Sequence, residues 1–186
     1  MATAIAPVQD GQLTEKIHDD LAIRDRAPAE HIVDTAHLSP AHIERAQRIH
    51  GIRLLGPALA DNSRQAKAAS GFEQSGFTID WVNEQAICPR GVMSASWTKL
   101  NISGHTYVQS RVAEADCRPC PDRARCTSSA TRSRSVAVLP RPLREIQLRN
   151  RLDQQTEQWQ RRYATGAGID PQQSHGIEAR VCCESE

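Results

Sequence analysis

Cysteine spacing offers the most specific chemistry in this sequence. Three of its six cysteines fall in the run Ala115-Asp-Cys-Arg-Pro-Cys-Pro-Asp-Arg-Ala-Arg-Cys126, spaced C-x2-C-x5-C, and a fourth, Cys88, opens a Cys-Pro-Arg-Gly turn upstream. Structural Zn2+ takes four tetrahedral ligands, commonly thiolates. Cys117 and Cys120 can grip one ion from a tight turn, Cys126 follows, and Cys88 closes the set from a second turn. Pro89, Pro119 and Pro121 stiffen both turns. The alternative is a group of reduced surface thiols in a polar loop. Cys182 and Cys183 lie in a tail without pattern and are not assigned to metal.

A carboxylate is the second candidate. The apolar run His31-Ile-Val33 ends on Asp34. Ser39 and Pro40 then make an N-cap and first-turn pair, and Ile43, Ala46 and Ile49 give a helical stripe up to Gly51. Ile52 to Leu55 reads as a second strand, stopped by Gly56 and Pro57. A strand, helix and strand at this spacing form a βαβ unit, with parallel strands and a right-handed crossover. Asp34 therefore sits at the carboxyl end of a parallel strand, where α/β sheets place their ligands. The competing role is the cap of the turn that Thr35, Ala36 and His37 begin. His37, His42 and His50 have no ligand-like spacing to the cysteines and read as surface or core histidines.

Arginines are the third candidate. Between Arg111 and Arg151 there are ten arginines, no lysine and four acids, while the whole chain has a net charge of only +1. Guanidinium groups suit phosphate contacts, which nominates Arg118, Arg123, Arg125, Arg132 and Arg134 for DNA binding. A solvated charged face is the alternative.

Several elements must position these residues. Residues 1–11 read as an extended lead-in. Thr14 can cap a helix running to about Arg26, with Ile17 and Leu21 on one face and Pro28 as its stop. Residues 58–76 read as a connection. From Phe77 the period becomes two, giving strands at Phe77–Val82 and Ala86–Cys88, then at Ser94–Thr98 and Thr106–Val112. A Ser/Thr/Arg loop, Thr127–Arg134, precedes a strand at Val136–Leu139. One long helix is predicted from Pro142 to about Tyr163, with Leu148, Leu152, Trp159 and Tyr163 on one stripe. The expected fold is mixed α/β, with a partial parallel sheet in residues 1–57, a β-rich cysteine-containing insertion in 58–135, and a strand and helix returning to the first part in 136–186.

Aromatic residues make up 4% and the mean hydropathy is −0.55, so the core is thin and a bound metal would compensate. No stretch has the length of a membrane span, and the N-terminus lacks a signal-peptide layout. The expectation is a cytoplasmic protein with reduced cysteines and no membrane partner, which favours metal over disulfides.

Taken in order, these parts resemble the DDE transposases of bacterial insertion sequences. The residues that carry the resemblance are Leu-Ala at 21–22, Ala-Glu-His-Ile-Val-Asp-Thr-Ala-His at 29–37 and His-Gly-Ile-Arg-Leu-Leu-Gly-Pro at 50–57. They continue as Phe-Thr-Ile-Asp-Trp at 77–81, Cys-Pro-Arg-Gly at 88–91, Ser-Trp-Thr at 96–98, the run ending at Cys126, and Gln155-Thr-Glu-Gln-Trp159 with Arg162-Tyr163. The resemblance implies a ribonuclease-H-like catalytic core interrupted by a small zinc-ribbon-like antiparallel insertion. It further implies Mg2+ as catalytic cofactor, and transposon-end DNA and intact transposase subunits as partners.

By the same resemblance, Asp34 is the second of three catalytic carboxylates, and Asp170 stands where the third is a glutamate in a Gly-Ile-Glu segment. Here that segment reads Gly168-Ile169-Asp170, followed by Pro171. The first carboxylate has no match, so the sequence reads as the second half of a transposase, inactive alone and with an aberrant tail, consistent with a frameshift after Arg180. The alternative functions are a zinc-stabilised DNA-binding or transposase-interfering module, and a remnant without a selected role.

Overall fold

The computed structural model describes residues 10–167; Asp170, Cys182 and Cys183 lie outside them. Among the described residues the fold is mixed α/β, with seven α-helices, two 3-10 turns and seven strands in three small sheets. The chain divides into two compact units, residues 1–59 with 145–186, and residues 60–144.

The first unit is built on the strand-helix-strand pattern. Strand β1 (Glu30–Ile32) pairs in parallel with β2 (Arg53–Leu55), Glu30 opposite Arg53 and Ile32 opposite Leu55. Between them runs a helix, Pro40–His50. The Ser39 hydroxyl accepts the His42 N–H at 3.1 Å, which satisfies one of the donors that every helix start leaves free. Val33, Leu38, Ala46, Ile52 and Leu54 form the core, with Ile43 against it.

The helix before β1, α1 (Asp10–Ile23), differs from the sequence reading at both ends. Thr14 lies inside it instead of capping it, and the helix stops at Ile23, short of Arg26. Thr14 is buried, and its hydroxyl hydrogen-bonds His37 Nδ1 at 3.1 Å. A partner 23 residues away has won over the local cap. The helix between β1 and β2 is α2, and polar side chains tie it to α1. Arg45 donates to both carboxylate oxygens of Asp19 at 3.1 Å and lies 3.2 Å from Glu15, while His50 Nε2 meets Asp19 Oδ1 at 2.8 Å.

The single long helix expected near the C-terminal end is two helices, one at Arg141–Asp153 and one at Glu157–Ala167. The break is at Thr156, whose hydroxyl accepts the Trp159 N–H at 3.3 Å. The threonine thus caps a new helix where the apolar stripe alone suggests continuity. The later helix packs on the first unit: Arg162 pairs with Glu30, and Trp159 stacks on Tyr163 with ring centroids 4.9 Å apart. The earlier one is tethered by the Arg151 guanidinium, which donates to the Leu59 carbonyl at 3.0 Å.

The second unit opens with α3 (Arg64–Ala68) and a hairpin of β3 (Thr78–Asp80) and β4 (Gln85–Ile87). Asp80 shapes the hairpin turn by accepting the Val82 and Asn83 N–H groups, each at 3.0 Å. A three-stranded antiparallel sheet follows, in the order β5 (Ser94–Ile102), β6 (His105–Val112), β7 (Ser135–Val138). In this sheet β7, read from sequence with the returning segment, pairs with β6, Val138 opposite Val108. Two short helices, α4 (Glu114–Cys117) and α5 (Arg123–Cys126), fill the β6–β7 connection; the two helices after β7 are then α6 and α7. Phe72, Phe77, Ala86, Cys126 and Val136 make the core of this unit, with Ile79 and Cys88 against it.

Candidate functional site

Asp34 lies two residues past the end of β1, at the carboxyl end of the parallel pair. It is partly buried, and its Oδ1 accepts the His37 N–H at 3.1 Å, so the aspartate caps the 3-10 turn Thr35–His37. The capping role is therefore realised at this position. The α7 helix runs nearby: the Tyr163 hydroxyl is held above its usual pKa by burial and, after that, by the negative charge of Asp34. Three residues further along α7, Gly166 lies against Ile32. Divalent magnesium takes several oxygen ligands in near-octahedral geometry. Among the described residues, no group of three or more His, Cys, Asp or Glu side chains is placed to hold a metal ion, around Asp34 or elsewhere.

The four spaced cysteines are reduced and line one small cavity in the second unit, together with Arg90, Arg123 and Arg134. Their backbones come from three tight structures. Cys88 begins a turn closed by the Gly91 N–H to the Cys88 carbonyl at 2.8 Å, with Gly91 at φ +81°, a conformation that glycine adopts without strain. Cys117 ends α4, and the Cys120 N–H returns to its carbonyl at 3.3 Å. Cys126 ends α5, buried, with its carbonyl held by Gln65 Nε2 at 2.9 Å. Burial pushes the Cys126 thiol pKa up, and the positive charge of Arg134 opposes that shift. Four thiols are the donor type and number of a tetrathiolate, but among the described residues they do not form a group that could hold a metal ion.

The five nominated arginines have separate fates. Arg123 Nη2 donates to the carbonyls of Ser129, Ala130 and Arg132 at 3.0, 3.0 and 3.2 Å. Arg134 donates to the Phe72 carbonyl and lies over the Phe77 ring, 5.6 Å from its centroid. Arg125 pairs with Asp122 at 2.9 Å and covers the Phe72 ring at 5.1 Å. These three hold the unit together. Arg118 and Arg132 are exposed, one in the turn between Cys117 and Cys120, the other in the loop that Arg123 clasps.

Sequence reading did not find the polar cluster around α1. His18, 2% exposed, shares a 2.9 Å hydrogen bond with His31 Nδ1, and its ring lies edge-on to His50. Burial, then the neighbouring His31 and His50, lowers its pKa to about 4. The i, i+4 spacing of Thr14 and His18 on α1 was the available signal, but their partners lie 23 and 13 residues away.

The family model of the transposase DDE domain matches residues 87–181, from the end of β4 through the cysteine turns and both late helices. No curated protein matches the chain, and no solved structure does. Among the described residues no helix is long and apolar enough to cross a membrane.

Proposed function

Because the chain belongs to the transposase DDE domain family, we propose that it serves DNA transposition and that its clearest separable task is to hold DNA. In this reading β1 and β2 belong to a ribonuclease-H-like sheet, and residues 60–144 are a zinc-ribbon-like insertion between the second and third carboxylates. Transposase DDE domains generally use Mg2+, which activates the attacking oxygen and stabilises the leaving one at phosphorus. Asp34 and Asp170 are the carboxylates that would hold it. Support for that pairing comes from α7: Gly166 contacts Ile32, two residues before Asp34, and the four residues from Gly166 to Asp170 span at most about 14 Å.

Asp170 is one methylene shorter than the glutamate the resemblance leads one to expect, and Pro171 constrains the backbone that aims it. A misplacement of about 1 Å in such a site costs roughly 100-fold in rate. These 186 residues, assayed by themselves, therefore bind transposon-end DNA without joining it. Structural Zn2+ held by Cys88, Cys117, Cys120 and Cys126 braces the insertion, and Arg118 and Arg132 contact phosphates.

The observation that carries the reading is the family match across the cysteine turns and α7. Incubation of the full chain with a labelled end duplex and Mg2+ tests it. Salt-sensitive binding without joined product is expected, and Mg2+-dependent joining by the pure chain would overturn the inactive assignment. A binding-module reading, in which the chain co-assembles with intact subunits, is favoured by the second unit having its own apolar core.

A further inference from the structure

Strands β5 and β6 run on together beyond the end of β7. The last pair between β6 and β7 is Val108 with Val138. The β5–β6 pairing continues through Leu100 opposite Tyr107, Asn101 opposite Thr106 and Ile102 opposite His105. Ser103 at φ +51° and Gly104 at φ +82° close this ribbon with the two left-handed residues of a tight hairpin turn. Its root is held twice, by the β7 pairing and by Trp97 of β5, which meets Trp81 edge-on with ring centroids 5.6 Å apart. Directly opposite residues share a face. One face carries Leu100, Ile102 and Tyr107 with His105, a largely apolar cross-strand set that stiffens the ribbon. The other starts at buried Val108 and turns polar as it leaves the core: Lys99, Asn101 and Thr106 are exposed. Among the described residues these three side chains have no hydrogen-bond or ion-pair partner.

We propose that this ribbon is the part of the chain that reads DNA sequence: it lies in the major groove of a duplex, with Lys99, Asn101 and Thr106 against the base edges. This rests on the DNA-holding role assigned above and adds to it a base-reading surface separate from Arg118 and Arg132. The size fits. Residues 100–102 extend about 10 Å at about 3.4 Å each, with the two strands about 4.8 Å apart. The major groove is about 12 Å wide and about 8.5 Å deep and admits a two-stranded ribbon. The charge fits as well. No Asp or Glu lies between Gln85 and Ala113, although the chain has 22 of them, and the same stretch carries Arg90, Lys99 and Arg111. A polyanion therefore meets no carboxylate on this strand pair. The exposed side chains have the matching chemistry. Lysine donates to guanine O6 and N7, asparagine pairs with N6 and N7 of adenine, and threonine offers a hydroxyl and a methyl that meets the thymine methyl. Phosphate contacts set position and base contacts set sequence, so the two surfaces divide the work.

The test incubates the full chain with a pool of random-sequence duplexes and sequences the bound fraction. The enriched duplex then serves as the probe for fluorescence anisotropy at fixed salt. The unaltered chain should enrich a defined motif and bind it roughly 5- to 150-fold more tightly than a copy with one read base pair changed, the worth of one bidentate contact. Replacing the motif's purines with 7-deazapurines removes the N7 acceptors, which only the major groove displays, and should weaken binding about tenfold. Asn101→Ala and Thr106→Ala change exposed side chains. Each should keep the circular dichroism spectrum and the affinity for the unselected pool, and lose the preference at one base pair. Their salt slope should match the parent's, since neither removes a charge. The 7-deazapurine measurement uses the unaltered chain and stands even if a variant fails to fold.

The failures are distinguishable. Equal binding to every sequence overturns the base-reading role and leaves the DNA-holding role standing. A motif that both variants prefer as strongly as the parent places the reading elsewhere in the chain, and a motif insensitive to 7-deazapurines places it outside the major groove; either result overturns the proposal. Variants that keep the preference but change the sedimentation of the DNA-free chain make the ribbon a contact between copies, which also overturns it. No binding to any duplex overturns the DNA-holding role and the ribbon's part in it together.

Discussion

Gly166 of α7 lies directly on Ile32 of β1: a Cβ at Gly166 would stand 2.7 Å from Ile32 Cγ2 and 3.1 Å from its Cβ. No side chain fits there unless the Ile32 side chain shifts. The contact fixes where the last described helix meets the parallel pair.

Replacing Gly166 with alanine should therefore destabilise the protein. Alanine favours a helix over glycine by about 1 kcal/mol, but overpacking against the half-buried, β-branched Ile32 costs about 1–3 kcal/mol. A net loss of roughly 1 kcal/mol or more in urea unfolding is expected. A variant more stable than the parent would show that the contact is not made.

The His18–His31 pair makes the first unit acid-sensitive. His18 has a folded pKa lowered to about 4 from an ordinary 6.5, so the unfolded chain binds more protons between those values. The stability is complete above about pH 6.5 and is lost as pH falls towards 4, by up to about 3 kcal/mol. His31 is shifted the same way, by burial and then by His37. Ring-proton NMR should place the His18 midpoint well below 6; titration at 6.5 or above would contradict the buried pairing.

Thr156 separates α6 from α7. Thr156→Ala removes the hydroxyl that accepts the Trp159 N–H and should cost about 1 kcal/mol. Thr156→Ser should recover most of it. If both variants match the parent, the cap has no energetic role.

Much of this organisation is legible in the sequence, for identifiable reasons. Ser39, Pro40 and Gly51 act within a few residues of themselves, so α2 and the parallel pair around it follow from local pattern. Asp34 is also local, and its cap to His37 is visible in the spacing. Thr14 is not: its hydroxyl goes to His37 and its helix starts earlier. The partners of the arginines are out of reach of local pattern for the same reason. Composition marks Arg123, Arg125 and Arg134 as a cluster of positive charge, and their carbonyl partners lie up to 62 residues away. The stripe of Leu148, Leu152, Trp159 and Tyr163 hides the Thr156 break, because a cap interrupts the backbone without interrupting the apolar pattern.

Zinc content gives a separate prediction. The full chain, expressed with zinc and dialysed, should carry about one ion per chain by elemental analysis. The double substitution of Cys117 and Cys120 by serine should remove it, since both come from the same turn. Unchanged zinc in that variant would place the ion elsewhere.

DNA affinity as a function of salt reports on the phosphate contacts themselves. With phosphate contacts from Arg118 and Arg132, log K should fall linearly with log salt, and each arginine changed to glutamine should reduce the slope by about 0.9. That dependence is expected for the zinc-loaded chain on an end duplex. Absence of binding at low salt, or a slope untouched by either substitution, would contradict it.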